Sequence, residues 1–268
     1  MNTHYLKKIF LHYFQATFID VLHSPFIFKL YQTCIKKQKC NEAFAEIEKL
    51  RQDLINDNTQ IQFTEIGAGS NFVVKKKLSI ASITKHHAKP KRIAEILHYI
   101  AKNNQCSYSI ELGTSLGIST AYLALAHKER SLLSDILLTS IEGNKSVIEK
   151  AQSNLIKLQL DGYVNLVEGN FDSVLEDVIK YYPQLDLAFI DGNHKKDATL
   201  NYFKKMLPLA HNNSVFIFDD IYWSKGMTEA WEEIKSHPKV TVTVDLFFIG
   251  LVFFRKEQVK QDFKLRVK

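Results

Sequence analysis

Cysteine is scarce in this chain: its 268 residues include three, and their spacing matches no metal site. Because Cys34, Cys40 and Cys106 are few and odd in number, we expect free thiols in a reducing compartment rather than a disulfide framework. Long apolar runs are also missing, since the longest, residues 246–254, is too short to cross a bilayer as a helix. The first fifteen residues carry charges and histidines where a signal peptide has an apolar stretch. We therefore expect a soluble, cytoplasmic protein without a membrane span.

An excess of acidic charge is absent as well, because the formal net charge is +6. The lysines are scattered along the chain, and 46% hydrophobic and 24% charged residues are ordinary for a globular protein. We interpret the lysines mostly as solvated faces, with an anionic partner as the alternative.

The first sixty residues have helical apolar spacing, interrupted at His23-Ser24-Pro25, where a serine cap and a proline suit a helix start. Their aromatic side chains need a surface to pack on. We expect residues 1–88 to form a mainly helical lobe or lid on a domain of residues 89–268. Residues 63–70, F-T-E-I-G-A-G-S, offer an acid and glycines, but no helical pattern follows. We interpret them as a loop, with a second ligand site as the alternative.

From Lys91 onward, apolar strand patterns alternate with amphipathic helix patterns. This alternation predicts a parallel sheet covered by helices, and a final close pair of strands predicts an antiparallel ending. Residues from Arg255 onward are interpreted as a short polar extension. The predicted strands are residues 108–112, 135–141, 164–167, 185–190, 214–218, 240–245 and 247–254.

Acidic residues stand where these strands stop. Right-handed crossovers place the carboxyl ends of parallel strands along one edge of the sheet, where ligands of open α/β sheets bind. Any one such acid is explained by a helix cap, but several together indicate a site. The acids are Glu111, Glu142, Asp191, Asp219 and Asp220.

The stretch S-I-E-L-G-T-S-L-G-I-S-T-A-Y-L-A, residues 109–124, predicts a strand, a glycine turn and a helix that begins near Ile118. Gly113 and Gly117 suit a sharp turn that a ligand approaches closely. The turn lacks the G-x-G-x-x-G spacing of dinucleotide sites, and Glu111 would repel a pyrophosphate. S-adenosylmethionine has no phosphate and carries an ammonium group, which an acid suits. Glu142, 31 residues further on, suits the ribose hydroxyls.

Residues from about 93 to 254 resemble class I S-adenosylmethionine-dependent methyltransferases, above all the O-methyltransferases, through E-L-G-T-S-L-G-I-S-T, I-E-G and E-G-N-F-D. The resemblance implies a Rossmann-like seven-stranded sheet, mostly parallel with an antiparallel last strand, after an N-terminal helical extension. H-S-P-F, G-A-G-S and D-D-I-Y-W-S-K-G-M are similar to a bacterial subgroup without an assigned substrate. The implied cofactor residues are Glu111, Gly113, Thr114, Ser115, Gly117, Ser119, Glu142, Gly143, Asn170, Phe171 and Asp191.

The same resemblance implies chemistry at the later strand ends. Metal-dependent relatives hold Mg²⁺ with acids at these positions, here Asp191, Asp219 and Asp220. His194 falls where such enzymes carry a base, so Asp191, His194 and Asp220 are the candidate catalytic residues. Neighbouring acids on a strand point to opposite faces unless the chain turns, and His194 alternatively caps the next helix.

The predicted function is methyl transfer to a small-molecule hydroxyl, and a homodimer is the assembly that we consider for the enzyme. Amino-group methylation of nucleic-acid bases usually relies on an Asn/Asp-Pro-Pro-aromatic element, and the corresponding I-D-G-N-H has no proline. RNA or protein methylation and a non-catalytic cofactor-binding module remain the alternatives. A nicotinamide oxidoreductase is less consistent with the turn.

Overall fold

The structure is a computed structural model that describes residues 3–16, 24–38, 41–66, 73–130 and 137–267. The G-A-G-S loop at residues 67–70, and residues 135–136 of the second predicted strand, lie outside the described residues. Over the described ranges no helix is long and apolar enough to cross a membrane.

The described chain forms ten α-helices and ten β-strands. The helices are α1 (Thr3–Gln15), α2 (Pro25–Leu30), α3 (Phe44–Ile55), α4 (Ile80–His87), α5 (Lys91–Asn103), α6 (Ile118–Arg130), α7 (Lys145–Lys157), α8 (Phe171–Ile179), α9 (Lys196–Met206) and α10 (Lys225–Ser236). The strands are β1 (Gln60–Ile66), β2 (Val73–Ser79), β3 (Tyr108–Leu112), β4 (Leu137–Glu142), β5 (Asn165–Glu168), β6 (Leu185–Ile190), β7 (Ala210–Asp219), β8 (Val242–Asp245), β9 (Ile249–Phe253) and β10 (Gln261–Lys264).

The central sheet has eight strands in the order β10-β8-β9-β7-β6-β3-β4-β5. Neighbours β3 and β4, β4 and β5, and β6 and β7 are parallel, whereas β9 is antiparallel to both β7 and β8. This arrangement confirms the predicted α/β, Rossmann-like class with its antiparallel closing strand. Strands β1 and β2 form a separate antiparallel pair.

The prediction of a polar extension after Arg255 is wrong over Gln261–Lys264, because this segment forms β10 and pairs in parallel with β8. An edge strand buries at most one of its faces, so it needs few apolar residues. A polar segment of four residues therefore has too weak an alternation of apolar and polar residues to predict a strand. Leu265, which follows the strand, is buried and anchors it.

By its internal contacts the chain divides into two compact units, of which one comprises residues 38–174. In this unit the predicted stripe of α5, from Ile93 to Ile100, is buried. The Tyr122 hydroxyl on α6 donates a hydrogen bond to Glu48 on α3 at 2.9 Å. The helices α3 and α6 are thereby joined by a polar contact as well as by their apolar faces.

The other unit comprises residues 1–37 and 175–268. Its strand β6 is buried along its whole length, as its sequence, apolar except for Asp186, predicts. The Ser24 side chain accepts a hydrogen bond from the Ile27 N–H and caps α2, as predicted. Helix α1 packs on this unit through a contact between His12 and Asp245. The predicted domain boundary at residue 88, and a lid role for the N-terminal lobe, stay predictions.

Candidate active site

The glycine turn after β3 has the sharp backbone that its sequence predicts. Gly113 and Gly117 have φ angles of 110° and 84°, and Ser115 has 48°. The N–H groups of Gly113 and Thr114 donate to the Ile141 carbonyl at 3.0 and 3.2 Å. These bonds hold the turn against the end of β4, and α6 begins at Ile118, as predicted.

Glu111 at the end of β3 is completely buried. Its Oε2 accepts hydrogen bonds from the Thr120 hydroxyl at 2.5 Å and from the Ser140 hydroxyl at 2.6 Å. Burial raises the pKa of this carboxyl, and the nearby hydroxyls of Ser119, Ser140 and Thr120 oppose the rise. Its Oε1 is buried without a hydrogen-bond partner. A buried carboxylate oxygen of this kind suits a ligand that brings a cationic N–H donor.

Glu142 at the end of β4 is held by backbone N–H groups. Its Oε2 accepts from Ser115 N at 2.9 Å, and its Oε1 accepts from Asn144 N at 2.9 Å. Burial raises its pKa, and the N–H groups of Asn144, Ser115 and Gly143 oppose the rise. Each carboxylate oxygen has a second lone pair, so this fixed group can still accept hydrogen bonds from two adjacent hydroxyls.

Ser140 and Asn154, two polar residues that the sequence analysis missed, support this turn together with Thr120. The Ser140 hydroxyl contacts both Glu111 and, at 2.6 Å, the Thr114 hydroxyl, while Thr120 also binds Glu111. The Asn154 amide donates to the Leu116 carbonyl at 2.9 Å. Ser140 lies in a buried strand and Asn154 on the apolar stripe of α7, and polar residues in such positions are the signal that could have found them.

Gly117→Ala should lower the free energy of unfolding by about 1–2 kcal/mol, because φ is left-handed there. The new Cβ would also lie 3.3 Å from the Ala151 Cβ. Urea unfolding measures the change. Gly162→Ala is the matched control, since nothing lies within 4 Å of its added Cβ. An equal effect of the two substitutions would contradict a requirement for glycine in the turn.

The segment after β5 is joined to the same turn region. Gly169 N donates to the Glu142 carbonyl at 2.9 Å. The Asn170 Oδ1 accepts from Asp172 N at 3.0 Å, and Phe171, the first residue of α8, is partly buried. Asn170 therefore caps the start of α8. Contact of Asn170 and Phe171 with adenine stays a prediction.

A second cluster lies in the other unit, at the ends of β6 and β7. Ligand atoms of Asp191, His194 and Asp219 all lie within 4.8 Å of one another. The His194 Nε2 is 3.7 Å from the Asp191 Oδ1, with the two side chains 32% and 10% exposed. Asp219 is buried. These three groups can exchange a proton with a ligand or hold a divalent cation.

Asp220 is not a member of this group among the described residues. Its φ of 52° turns the chain directly after β7. Its N–H donates to the Phe248 carbonyl at 2.8 Å, and its own carbonyl accepts from Trp223 N at 2.9 Å. The structure thus brings Asp191 and Asp219 together with His194 and sets Asp220 apart. The catalytic and metal-binding roles of Asp220 stay predictions.

Aromatic side chains lie beside this cluster, and one of them comes from α1. The Tyr5 ring packs edge-on against Phe247 at 5.2 Å and Trp223 at 6.3 Å. Burial raises the pKa of Tyr5, and the negative charges of Asp220 and Asp219 raise it further. The sequence analysis missed Tyr5, because nothing local relates residue 5 to a strand end more than two hundred residues away.

Two aromatic residues that follow Asp220 in the sequence differ in their surroundings. Trp223 is 57% exposed. Tyr222 is buried, and its hydroxyl donates to Asp245 at 2.5 Å. Tyr222 therefore belongs to the core, whereas Trp223 is accessible to a ligand.

Comparison with known proteins matches residues 110–221 to a family model described as a methyltransferase domain. No curated protein matches the chain. The O-methyltransferase TomG of Streptomyces achromogenes, which is involved in tomaymycin synthesis and was solved with S-adenosylmethionine, is 18% identical. The match covers 85% of this chain and 94% of TomG, with a TM-score of 0.57.

Two further solved structures are similar. An O-methyltransferase from Bacillus cereus in complex with S-adenosylhomocysteine is 19% identical, with 88% of this chain and 100% of that chain covered and a TM-score of 0.55. A Podospora anserina methyltransferase with bound S-adenosylhomocysteine is 12% identical, with 88% and 97% covered and a TM-score of 0.59. At these identities the likenesses show the fold.

The matched span, from β3 to the end of β7, includes both clusters described above. Residues 110–221 thus match a methyltransferase domain, and the fold of the chain is similar to that of O-methyltransferases solved with S-adenosylmethionine or S-adenosylhomocysteine.

Proposed function

We propose that this enzyme transfers a methyl group to a hydroxyl oxygen of a small molecule. The observation that carries the proposal is the cluster of Asp191, His194 and Asp219, because an imidazole beside two carboxylates is suited to remove a hydroxyl proton. S-adenosylmethionine, when bound, supplies a methyl group on a positively charged sulfur.

Two carboxylates of the unit formed by residues 38–174 suit the donor groups of this cofactor. The unpartnered Oε1 of Glu111 fits the ammonium of its methionine end. The carboxylate of Glu142, fixed by Ser115 N and Asn144 N, fits the ribose hydroxyls. We assign to the cofactor Glu111, Gly113, Thr114, Ser115, Gly117, Ser119, Glu142, Gly143, Asn170 and Phe171, and also Asp191.

We assign to the Nε2 of His194 the role of taking the proton from the acceptor hydroxyl. The Asp191 Oδ1, 3.7 Å away, stabilises the imidazolium that forms, and the buried Asp219 adds a second negative charge. Tyr5 and Trp223 provide apolar surface beside these groups, which suits an acceptor with a planar or apolar body.

The same three side chains fit a divalent cation as a second use of the cluster. Carboxylate oxygens of Asp191 and Asp219 suit Mg²⁺, and His194 would be the third ligand. A bound cation would lower the pKa of the acceptor hydroxyl. His194 cannot be both a ligand and the base through the same nitrogen, so removal of divalent cations distinguishes the two uses.

The test incubates the purified protein with S-adenosylmethionine and a panel of phenols, catechols and aliphatic alcohols, with Mg²⁺ or with a chelator. We expect S-adenosylhomocysteine and an O-methylated product, located by mass spectrometry. Glu142→Ala should abolish this turnover by weakening calorimetric binding of S-adenosylhomocysteine. Turnover that the chelator leaves unchanged would support His194 as the base.

Two results would contradict the proposal. Methylation of RNA or protein, with none of the hydroxyl panel, would show that the acceptor class is wrong. Normal binding of S-adenosylhomocysteine without transfer to any of these acceptors would favour the non-catalytic module.

A further inference from the structure

Helix α1 exposes an apolar stripe. Its members recur at the spacing i, i+3, i+4, i+7 and i+8, which is one face of a helix. They are Leu6 (46% exposed), Ile9 (39%), Phe10 (64%), Tyr13 (59%) and Phe14 (67%). An exposed face of this size and composition marks an interaction surface.

The opposite face of α1 is polar, and it is the face that packs on the protein. The His4 Nε2 lies 3.0 Å from the Thr228 hydroxyl, and the Lys8 Nζ lies 5.3 Å from the centre of the Tyr222 ring. His12 is buried, with its Nε2 3.1 Å from the Asp245 Oδ1. These contacts, together with the Tyr5 ring on Phe247 and Trp223, attach the helix and leave its apolar stripe outside.

The surroundings of the stripe are basic. Helix α1 contains no acidic residue, and Lys7 at the edge of the stripe is exposed. From the C-terminal segment, the Arg266 guanidinium lies 4.0 Å over the Tyr13 ring and the Lys264 Nζ lies 2.7 Å from the Gln15 side chain. Across residues 1–41 the sequence has six lysines and a single acid, Asp20.

We propose that the exposed stripe of α1 docks on an anionic lipid surface, as a peripheral contact. An apolar helix face with aromatic side chains enters the headgroup boundary, and flanking lysines and arginines attract acidic lipids. A second copy of the chain fits less well, because α1 contains no acidic residue that could pair with the lysines of the other copy. This proposal does not depend on which molecule accepts the methyl group.

The test is sedimentation of the full-length protein with phosphatidylcholine vesicles that contain about one third phosphatidylglycerol. Wild type should bind these vesicles and bind pure phosphatidylcholine much more weakly. Joint replacement of Phe10 and Phe14 by serine should lower the affinity at least about tenfold, and Lys7→Glu about fivefold. Tyr181→Ser, which removes an 80% exposed aromatic outside α1, is the matched control and should not change binding.

Circular dichroism and the thermal midpoint check that each variant is folded. Equal binding of wild type to neutral and anionic vesicles, or no binding, would overturn the proposal. So would a wild-type dimer in light scattering that the Phe10 and Phe14 substitutions convert to a monomer, since a second copy would then cover the stripe.

Discussion

His194→Ala should lower kcat for a hydroxyl acceptor by about 10²–10⁴-fold, the usual contribution of a positioned general base. The imidazole is held 3.7 Å from Asp191 and close to Asp219, so its removal leaves two carboxylates without the group that takes the proton. Affinity for S-adenosylhomocysteine should stay within about twofold, because no contact to the glycine turn is lost. Steady-state kinetics and calorimetry on the same preparations measure the two effects.

His211→Ala is the matched control for this experiment. His211 also pairs with an aspartate, with its Nε2 2.8 Å from the Asp186 Oδ1, but this pair lies near the other ends of β6 and β7. Its loss should leave kcat nearly unchanged. Equal losses of kcat in the two variants would indicate a structural effect and contradict a catalytic role for His194.

Glu111→Gln should weaken binding of S-adenosylhomocysteine by about 10–100-fold, since a hydrogen bond between charged groups is replaced by a neutral one. The free protein should keep or gain stability, because the Oε1 of the buried carboxylate has no partner and an amide costs less to bury. Calorimetric titration and urea unfolding measure the two quantities. Glu129→Gln, a substitution in a half-buried ion pair with Lys102 and His98 at the carboxyl end of α6, is the control and should leave the affinity unchanged.

The difference in the free energy of unfolding between Glu111→Gln and wild type should increase as the pH rises. Burial raises the pKa of Glu111 above its ordinary value of 4.5, so the folded state binds the proton more tightly than the unfolded state. Stability from this group is therefore present below about pH 4.5 and is lost as the pH rises through the raised pKa. The stability advantage of Glu111→Gln over wild type should therefore grow as the pH rises from about 4.5 through the raised pKa. A constant difference across this range would show that Glu111 titrates normally.

Much of the fold was predictable because its signals are local. The apolar runs of β3 and β6 have the predicted bounds, and the spacing of Ile93, Ile96, Leu97 and Ile100 identified α5 and its buried face. Edge strand β10 was not predictable, because backbone pairing with β8, a hydrogen bond from Thr243 to Asp262 and the buried Leu265 hold it, and none of these gives a strand pattern in the sequence.

The sequence predicted which strands and which turn form the candidate site, but it did not predict all of the residues that belong to it. Glu111 and Glu142 could be named because each acid directly ends an apolar strand. Ser140 and Thr120 could not be assigned to Glu111, since that contact joins residues on β3, β4 and α6. That all five acids form one site at the edge of the sheet stays a prediction.

By itself, the sequence determined the alternation of strands and helices, the glycine turn and the acids at the strand ends, because each depends on neighbouring residues along the chain. The tertiary structure alone decided that Asp219 rather than Asp220 joins Asp191 and His194, since a left-handed turn at Asp220 redirects the chain. It also decided that α1 packs through its polar face, with Tyr5 beside Asp219. Such contacts depend on where distant segments meet, which no local pattern encodes.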